Sequence, residues 1–456
     1  MARFRCTVCG YIHEGTQPPE FCPICGVSSE FFEPLTENED QEVAPLTPPP
    51  DTPALDRRGS RPRWVIVGGG VAAVSAAETA RQGDRSAEIL LIQSEALLPY
   101  NRLSLTRFLA GEVGRERLQL KPETFYLQHQ IERIVAEARV IDRDNKVLRL
   151  HDGRRVAYDR LVLAVGAHAF VPSIPGNRRD GVHVLRRLED AEAIVARARP
   201  GTRAVCIGGG LLGLETAGAL ARRGLKVTVL EAAPQLLPRQ LAAASSARLA
   251  SYLSDLGIEI RTDVGVTACG GDQSVYDVSL QSGETIPAEL VTLAAGIRPN
   301  VGLARASGLH VNSGIVVDDT LTTSDELILA AGDCAEHAGR VYGLWFAARA
   351  QGRYAGSRLA GISDKYVPRS PPAQLKVLEL PVFSVGRFDP SEPGDRVLEQ
   401  GDDRRLVRIV DNGGRVVGGN LVGDTTLAQE LTEAVDQAHP IADHPGLCAV
   451  LARVQS

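Results

Sequence analysis

Residues 64–83 read WVIVGGGVAAVSAAETARQG, and residues 204–224 read AVCIGGGLLGLETAGALARRG. In both stretches four consecutive apolar residues run into three glycines, and a helix-length stretch rich in small residues follows. Each is followed by a second apolar run that ends near an acid: AEILLIQSE up to Glu95, and LKVTVLE up to Glu231. A buried strand, a turn only glycine can make, a helix and a second strand form the opening of a doubly wound α/β domain. The chain carries this opening twice, so two Rossmann-like domains are expected.

The glycine positions are chemically specific. The first makes the tight turn, the second lets a pyrophosphate approach the backbone, and the third allows close packing of helix on strand. Gly68, Gly70 and Ala73 fit these roles in the first copy, and Gly208, Gly210 and Gly213 in the second. The helix N-terminus then presents unpaired N–H groups and its positive dipole end to the phosphates. One such fingerprint is weak evidence. Two, each between a strand and a helix and each with an acid at ribose distance, are strong. Glu231 is placed to accept hydrogen bonds from both ribose hydroxyls, and no Arg follows closely to receive a 2′-phosphate, so NADH is favoured over NADPH. Arg222 and Arg223 lie on the preceding helix and are expected to face solvent. Two dinucleotides in one chain imply that one delivers hydride and the other receives it. A flavin suits the receiving role because it takes two electrons together and releases them singly.

The rest of the composition is that of a soluble globular chain, with 44% hydrophobic and 23% charged residues over 456 positions, enough for two to four domains. No run of 18 apolar residues and no apolar leader is present, so no membrane association and a cytoplasmic location are expected. The net charge of −6 is concentrated in residues 1–60, which hold 4 Arg and 10 acids (4 − 10 = −6) and leave 46 of each sign in the remainder. An acidic head on a neutral body argues against nucleic acid; it suits a basic docking patch, or serves only as a solvated linker.

The segment from about 63 to 440 resembles the FAD-dependent NADH reductases of the two-Rossmann type. These include rubredoxin and ferredoxin reductases, apoptosis-inducing factor and the flavin portion of nitrite reductase large subunits. The resemblance rests on GGGVAA, LPYNRLSLT, LVLAVGAHAFVPSIPG, GGGLLGLE, AAGIRPN, LILAAGDCAE and GLWFAARAQG. It implies that Asp333 binds the FAD ribityl chain, that Gly166 belongs to a second FAD stretch, and that Arg102 meets the FAD phosphates. It further implies Glu95 on the FAD ribose, Gly296 in the AAGIRPN cofactor stretch, Trp345 near the isoalloxazine and Glu215 near nicotinamide and flavin. Where the family often has a Lys five residues after the PYxR arginine, this chain has Arg107, which could pair with Glu215. Disulfide reductases and cysteine-based peroxidases carry thiols beside the flavin, but LLPYNRLSLTRFLAGEVG contains none. Electrons therefore leave the flavin by another route.

That route is expected in MARFRCTVCGYIHEGTQPPEFCPICG, where Cys6, Cys9, Cys22 and Cys25 form two C-x2-C loops. Such loops make a tetrahedral four-sulfur site for Fe or Zn. The segment resembles the rubredoxin-like domain of rubrerythrins, which implies one iron cycling between ferric and ferrous; zinc is the alternative. His13 is expected to be an exposed loop residue. The resulting division is a rubredoxin-like domain at 1–35 and a proline- and acid-rich flexible linker at 36–62. An FAD domain is expected at 63–178 and 285–364, an NAD domain at 179–284, and a small α+β domain at 365–456. The expected function is transfer of electrons from NADH through FAD to the chain's own iron and then to an external acceptor protein. A homodimer through the C-terminal domain is compatible with the family. Competing expectations are a flavin reductase with a structural zinc head, a component of a nitrite-reducing system, and a redox-sensing protein with little turnover.

Overall fold

The computed structural model describes residues 2–6, 12–19, 29, 32–35, 60–362, 365–367, 373–374, 379–437 and 440–452. The expected linker lies almost wholly outside these residues. Two compact units divide the chain. One comprises Met1–Arg102, Glu116–Pro172 and Ile297–Pro368; the other comprises Leu103–Arg115, Ser173–Gly296 and Arg369–Ser456. Among the described residues no helix is long and apolar enough to cross a membrane.

The first unit is built on a five-stranded parallel sheet. Its strands lie in the order Ile328–Ala330, Arg160–Leu163, Arg63–Val67, Glu88–Gln93 and Ile131–Val135. Counted along the chain this is fifth, fourth, first, second, third. The winding direction therefore reverses between Arg63–Val67 and Arg160–Leu163, and a doubly wound sheet binds ligands at such a switch point. The central strands carry continuous apolar runs because both faces are covered: all of Arg63–Val67 is buried, as is nearly all of Glu88–Gln93. Helix Val71–Gly83 covers one face with Ala72, Ala73, Ala76, Ala77 and Ala80. Helix Trp345–Leu359 lies so close to it that a Cβ on Gly352 would stand 2.2 Å from the carbonyl oxygen of Ala72, and one on Gly356 2.4 Å from that of Ala76. Small residues on both helices are thus a steric requirement. A three-stranded antiparallel meander, Ala138–Asp142, Val147–Leu150 and Arg155–Ala157, is inserted before strand Arg160–Leu163.

The second unit repeats this plan. Its parallel sheet runs Val182–Val184, Leu290–Leu293, Arg203–Ile207, Lys226–Leu230 and Glu259–Arg261, with a meander at Val266–Gly271, Val275–Leu280 and Thr285–Pro287. This moves the expected domain boundaries. Leu290–Leu293 pairs with Arg203–Ile207, so the second unit's parallel sheet continues past 284, and the first unit resumes only at Ile297. The earlier crossing falls at 172, not 178.

The C-terminal region is the expected α+β layer. An antiparallel sheet of Ala373–Gln374, Val382–Gly386, Arg415–Val422, Leu406–Asn412 and Asp395–Gly401 is covered by helix Ala428–Gln437. Phe383, Ile409, Leu421 and Leu431 lie in the core between sheet and helix. Asn420, fully buried, accepts from the Ala242 N–H and donates to the Gln240 carbonyl and the Ser384 hydroxyl. This satisfied network fixes the sheet to the loop before helix Ala243–Asp255. In the head, Ala2–Cys6 pairs antiparallel with Ile12–Gly15 and with Phe32–Leu35.

Candidate active site

Gly68 ends the first strand at φ +142°, and a Cβ there would lie 2.1 Å from the carbonyl oxygen of Ala164, at the end of the neighbouring strand. Gly208 repeats this at φ +114°, 2.5 Å from the carbonyl oxygen of Ala294. Both turns therefore sit at the switch point of their own sheet. Gly70 and Gly210 are the reverse case: a Cβ on either would meet no atom within 4 Å. Each is the N-cap of the following helix and has no side-chain cap, so the first helical N–H groups are left to a ligand. Gly213 packs its helix onto the turn, with an added Cβ 1.9 Å from the Gly208 carbonyl oxygen, and Ala73 at the matching position is fully buried. Open space over a glycine, beside uncapped N–H groups, fits a dinucleotide pyrophosphate in both units.

The acids differ between copies. In the second, Glu231 directly follows strand Lys226–Leu230 and accepts from the N–H of Gly209 at 2.6 Å and of Ala233 at 2.8 Å. The Gly208 N–H bonds the Leu230 carbonyl, and the Gly68 N–H bonds the Ile92 carbonyl. By that register Gln93, not Glu95, stands where Glu231 does. Gln93 is 3% exposed and donates from Nε2 to the carbonyls of Glu95 (2.7 Å) and Leu97 (2.6 Å). The loop it holds brings Glu95 to Arg102 at 2.5 Å and to the Tyr100 hydroxyl at 2.7 Å, with Arg102 also donating to Tyr100. The sequence-predicted Glu95 and Arg102 are thus brought together as a pair. Gln93→Glu would turn a carboxylate on two carbonyls, so affinity for a dinucleotide at this first glycine turn is expected to fall about tenfold. Reconstitution of apoprotein with FAD measures it.

Gly166 follows strand Arg160–Leu163 at φ +67°, and its carbonyl accepts from the Asn300 N–H at 2.9 Å. Asp333 lies at the carboxyl end of strand Ile328–Ala330, after Gly332, whose N–H donates to Gln351 at 2.8 Å. Gly68, Gly166 and Asp333 therefore share one edge of the first sheet. Trp345 opens helix Trp345–Leu359, packs edge-on to Phe346 at 5.2 Å and carries the Arg349 guanidinium 5.6 Å from its ring centre. Its indole nitrogen is buried without a hydrogen-bond partner among the described residues.

In the second unit Glu215 is 8% exposed on helix Leu211–Arg222. The Thr106 hydroxyl donates to it at 2.7 Å, whereas Arg107 donates to Glu112 at 3.0 Å with its side chain 48% exposed. The contact with Glu215 expected of Arg107 is thus made by Thr106. On the short helix Leu105–Leu109 it is position 106 that is buried. Arg222 pairs with Glu112, and Arg223 donates to the Leu109 carbonyl. Both are engaged at the C-terminal end of their helix, remote from the glycine turn. Gly296 ends the Ser173–Gly296 segment of the second unit at φ +114° with open space around it.

Cys206, Cys269 and Cys334 are buried, which pushes their thiols up to about 12, 11 and 11. Cys334 donates to the carbonyls of Leu163 and Ala331. None of these three is a thiolate at neutral pH. Of the four predicted metal ligands, Cys6 ends a described strand, and Cys9, Cys22 and Cys25 lie outside the described residues. His13 lies on strand Ile12–Gly15 and is partly buried, not the exposed loop residue expected.

Three family models match the chain: pyridine nucleotide-disulphide oxidoreductase over 62–352, the rubredoxin-like domain of rubrerythrin over 4–33, and the C-terminal domain of rubredoxin NAD+ reductase over 371–439. The nitrite reductase [NAD(P)H] large subunit of Klebsiella oxytoca is 33% identical over 395 residues, 85% of this chain and 41% of that protein. The chain spans less than half the length of this and the other nitrite and nitrate reductase relatives it matches. Rubredoxin-NAD(+) reductase of Pseudomonas putida is 37% identical over 274 residues, 59% of this chain and 71% of that protein. Among solved structures, the ferredoxin reductase of the CYP199A2 system from Rhodopseudomonas palustris has a TM-score of 0.78 at 29% identity, covering 86% of this chain and 100% of its own.

Proposed function

The chain belongs to the pyridine nucleotide-disulphide oxidoreductase family, and from that premise we propose that it is an NADH-dependent flavoprotein. It passes electrons through FAD to an iron held by Cys6, Cys9, Cys22 and Cys25, and on to an external redox partner protein. The observation that carries this reading is the pair of pyrophosphate cradles in one chain, each at the switch point of its own sheet.

In this reading the first unit holds FAD and the second NADH. Gly68, Gly70 and the N-terminus of helix Val71–Gly83 receive the FAD pyrophosphate, Arg102 neutralises it, and Asp333 accepts from the ribityl hydroxyls at the same sheet edge. Gly208, Gly210 and helix Leu211–Arg222 receive the NADH pyrophosphate. Glu231, held by two backbone N–H groups, turns its remaining acceptor capacity to the ribose, and a 2′-phosphate there would meet a carboxylate. Glu215 is fixed by Thr106 as a polar wall of the nicotinamide site. Trp345 shields the first site from water and brings an indole N–H to it. Bound FAD supplies the exchange between a hydride and single electrons. A four-thiolate iron supplies a one-electron carrier, and its match to a rubredoxin-like model supports iron over zinc. The buried, protonated cysteines support an exit other than a thiol.

A second reading takes the head as a structural zinc module and the flavin as donor to a small-molecule or nitrite-type acceptor system. It is favoured by the long nitrite reductase relatives, of which this chain spans less than half. Anaerobic titration with NADH, after iron and zinc are counted, separates the two. Iron at about one per chain, bleaching together with the flavin, is the expected result. Zinc, or iron that stays ferric while flavin is fully reduced, overturns the relay.

A further inference from the structure

Helix Trp345–Leu359 has two unlike faces. Gly352, Gly356, Ala348 and Ala355 are buried, and the glycines touch the backbone of helix Val71–Gly83. Phe346, Arg349, Ala350 and Arg353, spaced three and four apart, are exposed, Phe346 to 42%. Arg349 and Arg353 form no ion pair with a carboxylate among the described residues; the ring of Trp345 is the contact Arg349 makes. From residue 338 to residue 363 the sequence has four arginines and no acid. Two cations beside an aromatic side chain, in a stretch of chain without an acid, make a ready seat for an acidic segment.

The sequence contains one within reach. Between Glu37 and Asp56 there are six acids and no base, and Glu37, Glu39, Asp40 and Glu42 fall within six residues. About 20 residues join that cluster to Ser60, enough chain to cross about 25 Å. Gly352 meets Ala72 and Gly356 meets Ala76 and Ala80, so the two helices run parallel, and the Trp345 end lies beside the first glycine turn. The strand that feeds this turn, Arg63–Val67, starts three residues after Ser60 and covers about 17 Å. The tether therefore exceeds the length of that strand, and tethering at that length gives an effective concentration in the millimolar range.

We propose that the chain's own acidic stretch, Glu37–Glu42, docks on the Phe346–Arg349–Arg353 face. The contact does not require the metal to be iron or the relay to operate. Where the relay holds, docking keeps the four-cysteine head at the Trp345 end of the flavin unit.

The test is proteolysis of the full chain with a glutamate-specific protease, scored at Glu37, Glu39 and Glu42. At low salt the cuts are expected to be slow. In Arg349→Glu/Arg353→Glu they accelerate about fivefold or more, and about 0.5 M salt brings the wild type to the same rate. Flavin content and melting temperature of the variant confirm that it is folded, and Arg349→Gln/Arg353→Gln should give an intermediate rate. Equal rates in wild type and charge-reversed chain at low salt overturn the proposal. Protection that rises with protein concentration also overturns it, because the occupant is then a second copy. A head that holds zinc, or an iron that NADH cannot reduce, leaves this readout unchanged.

Discussion

Gly208→Ala is expected to lower kcat/KM for NADH at least about 100-fold, equivalent to about 2.7 kcal/mol, while flavin stays bound. The methyl group would sit 2.5 Å from the Ala294 carbonyl oxygen, on a residue held at φ +114°. An L-residue at such a φ is already disfavoured by about 1–2 kcal/mol. The strand end or the turn must move, and either movement disturbs the N–H groups that face the pyrophosphate. Gly68→Ala is the matched experiment in the other unit, with 2.1 Å to the Ala164 carbonyl oxygen; it should lose flavin on gel filtration. Gly210→Ala separates fold from ligand. Its methyl meets no protein atom within 4 Å, so the melting temperature should hold while NADH binding weakens. If Gly208→Ala instead releases flavin and keeps its NADH affinity, the two sites have been assigned the wrong way round.

The glycine turns were legible because their constraint is stereochemical and acts on single residues. A Cβ cannot coexist with the neighbouring strand's carbonyl, so the requirement leaves a letter in the sequence. The boundary near residue 285 was not legible in that way. Strand Leu290–Leu293 belongs to the second sheet only because it pairs with Arg203–Ile207, and pairing partners leave no local mark. A signal was nevertheless present: LVTLAAG at 290–296 repeats the pattern of LVLAVG at 161–166, a strand run ending in small residues and glycine. Gln93 could be read from the same logic, as the first polar residue after an apolar run, where Glu231 stands in the other copy. Acid type drew attention to Glu95; register assigns the place to Gln93. Thr106 had no such signal. A threonine reaches Glu215 because helix Leu105–Leu109 buries it toward helix Leu211–Arg222, and charge alone points to Arg107. Residues whose role is set by long-range packing are those that sequence reading misses.

Cys9→Ser is expected to divide the protein's activities. Serine neither supplies the thiolate nor matches sulfur's affinity for iron or zinc, and a three-sulfur remainder leaves the metal open to water. The variant should lose its metal, from about one per chain to near none, and the head with it, since a core this small is held by its ion. Among the described residues each of the two parallel sheets is built from its own strands and has its own glycine turn. NADH should therefore still bleach the flavin at the wild-type rate, and ferricyanide, small enough to take electrons at the flavin edge, should still be reduced. Ferricytochrome c, which needs a protein surface to deliver electrons one at a time, should lose at least about 100-fold of its rate, or about 2.7 kcal/mol of barrier. The two acceptors make the outcome decisive. Equal loss of both would mean that the substitution unfolds the reductase. Loss of neither would place the electron exit on the flavin unit itself and leave the four cysteines a structural task. Loss of the cytochrome rate alone is the result that a built-in one-electron carrier requires.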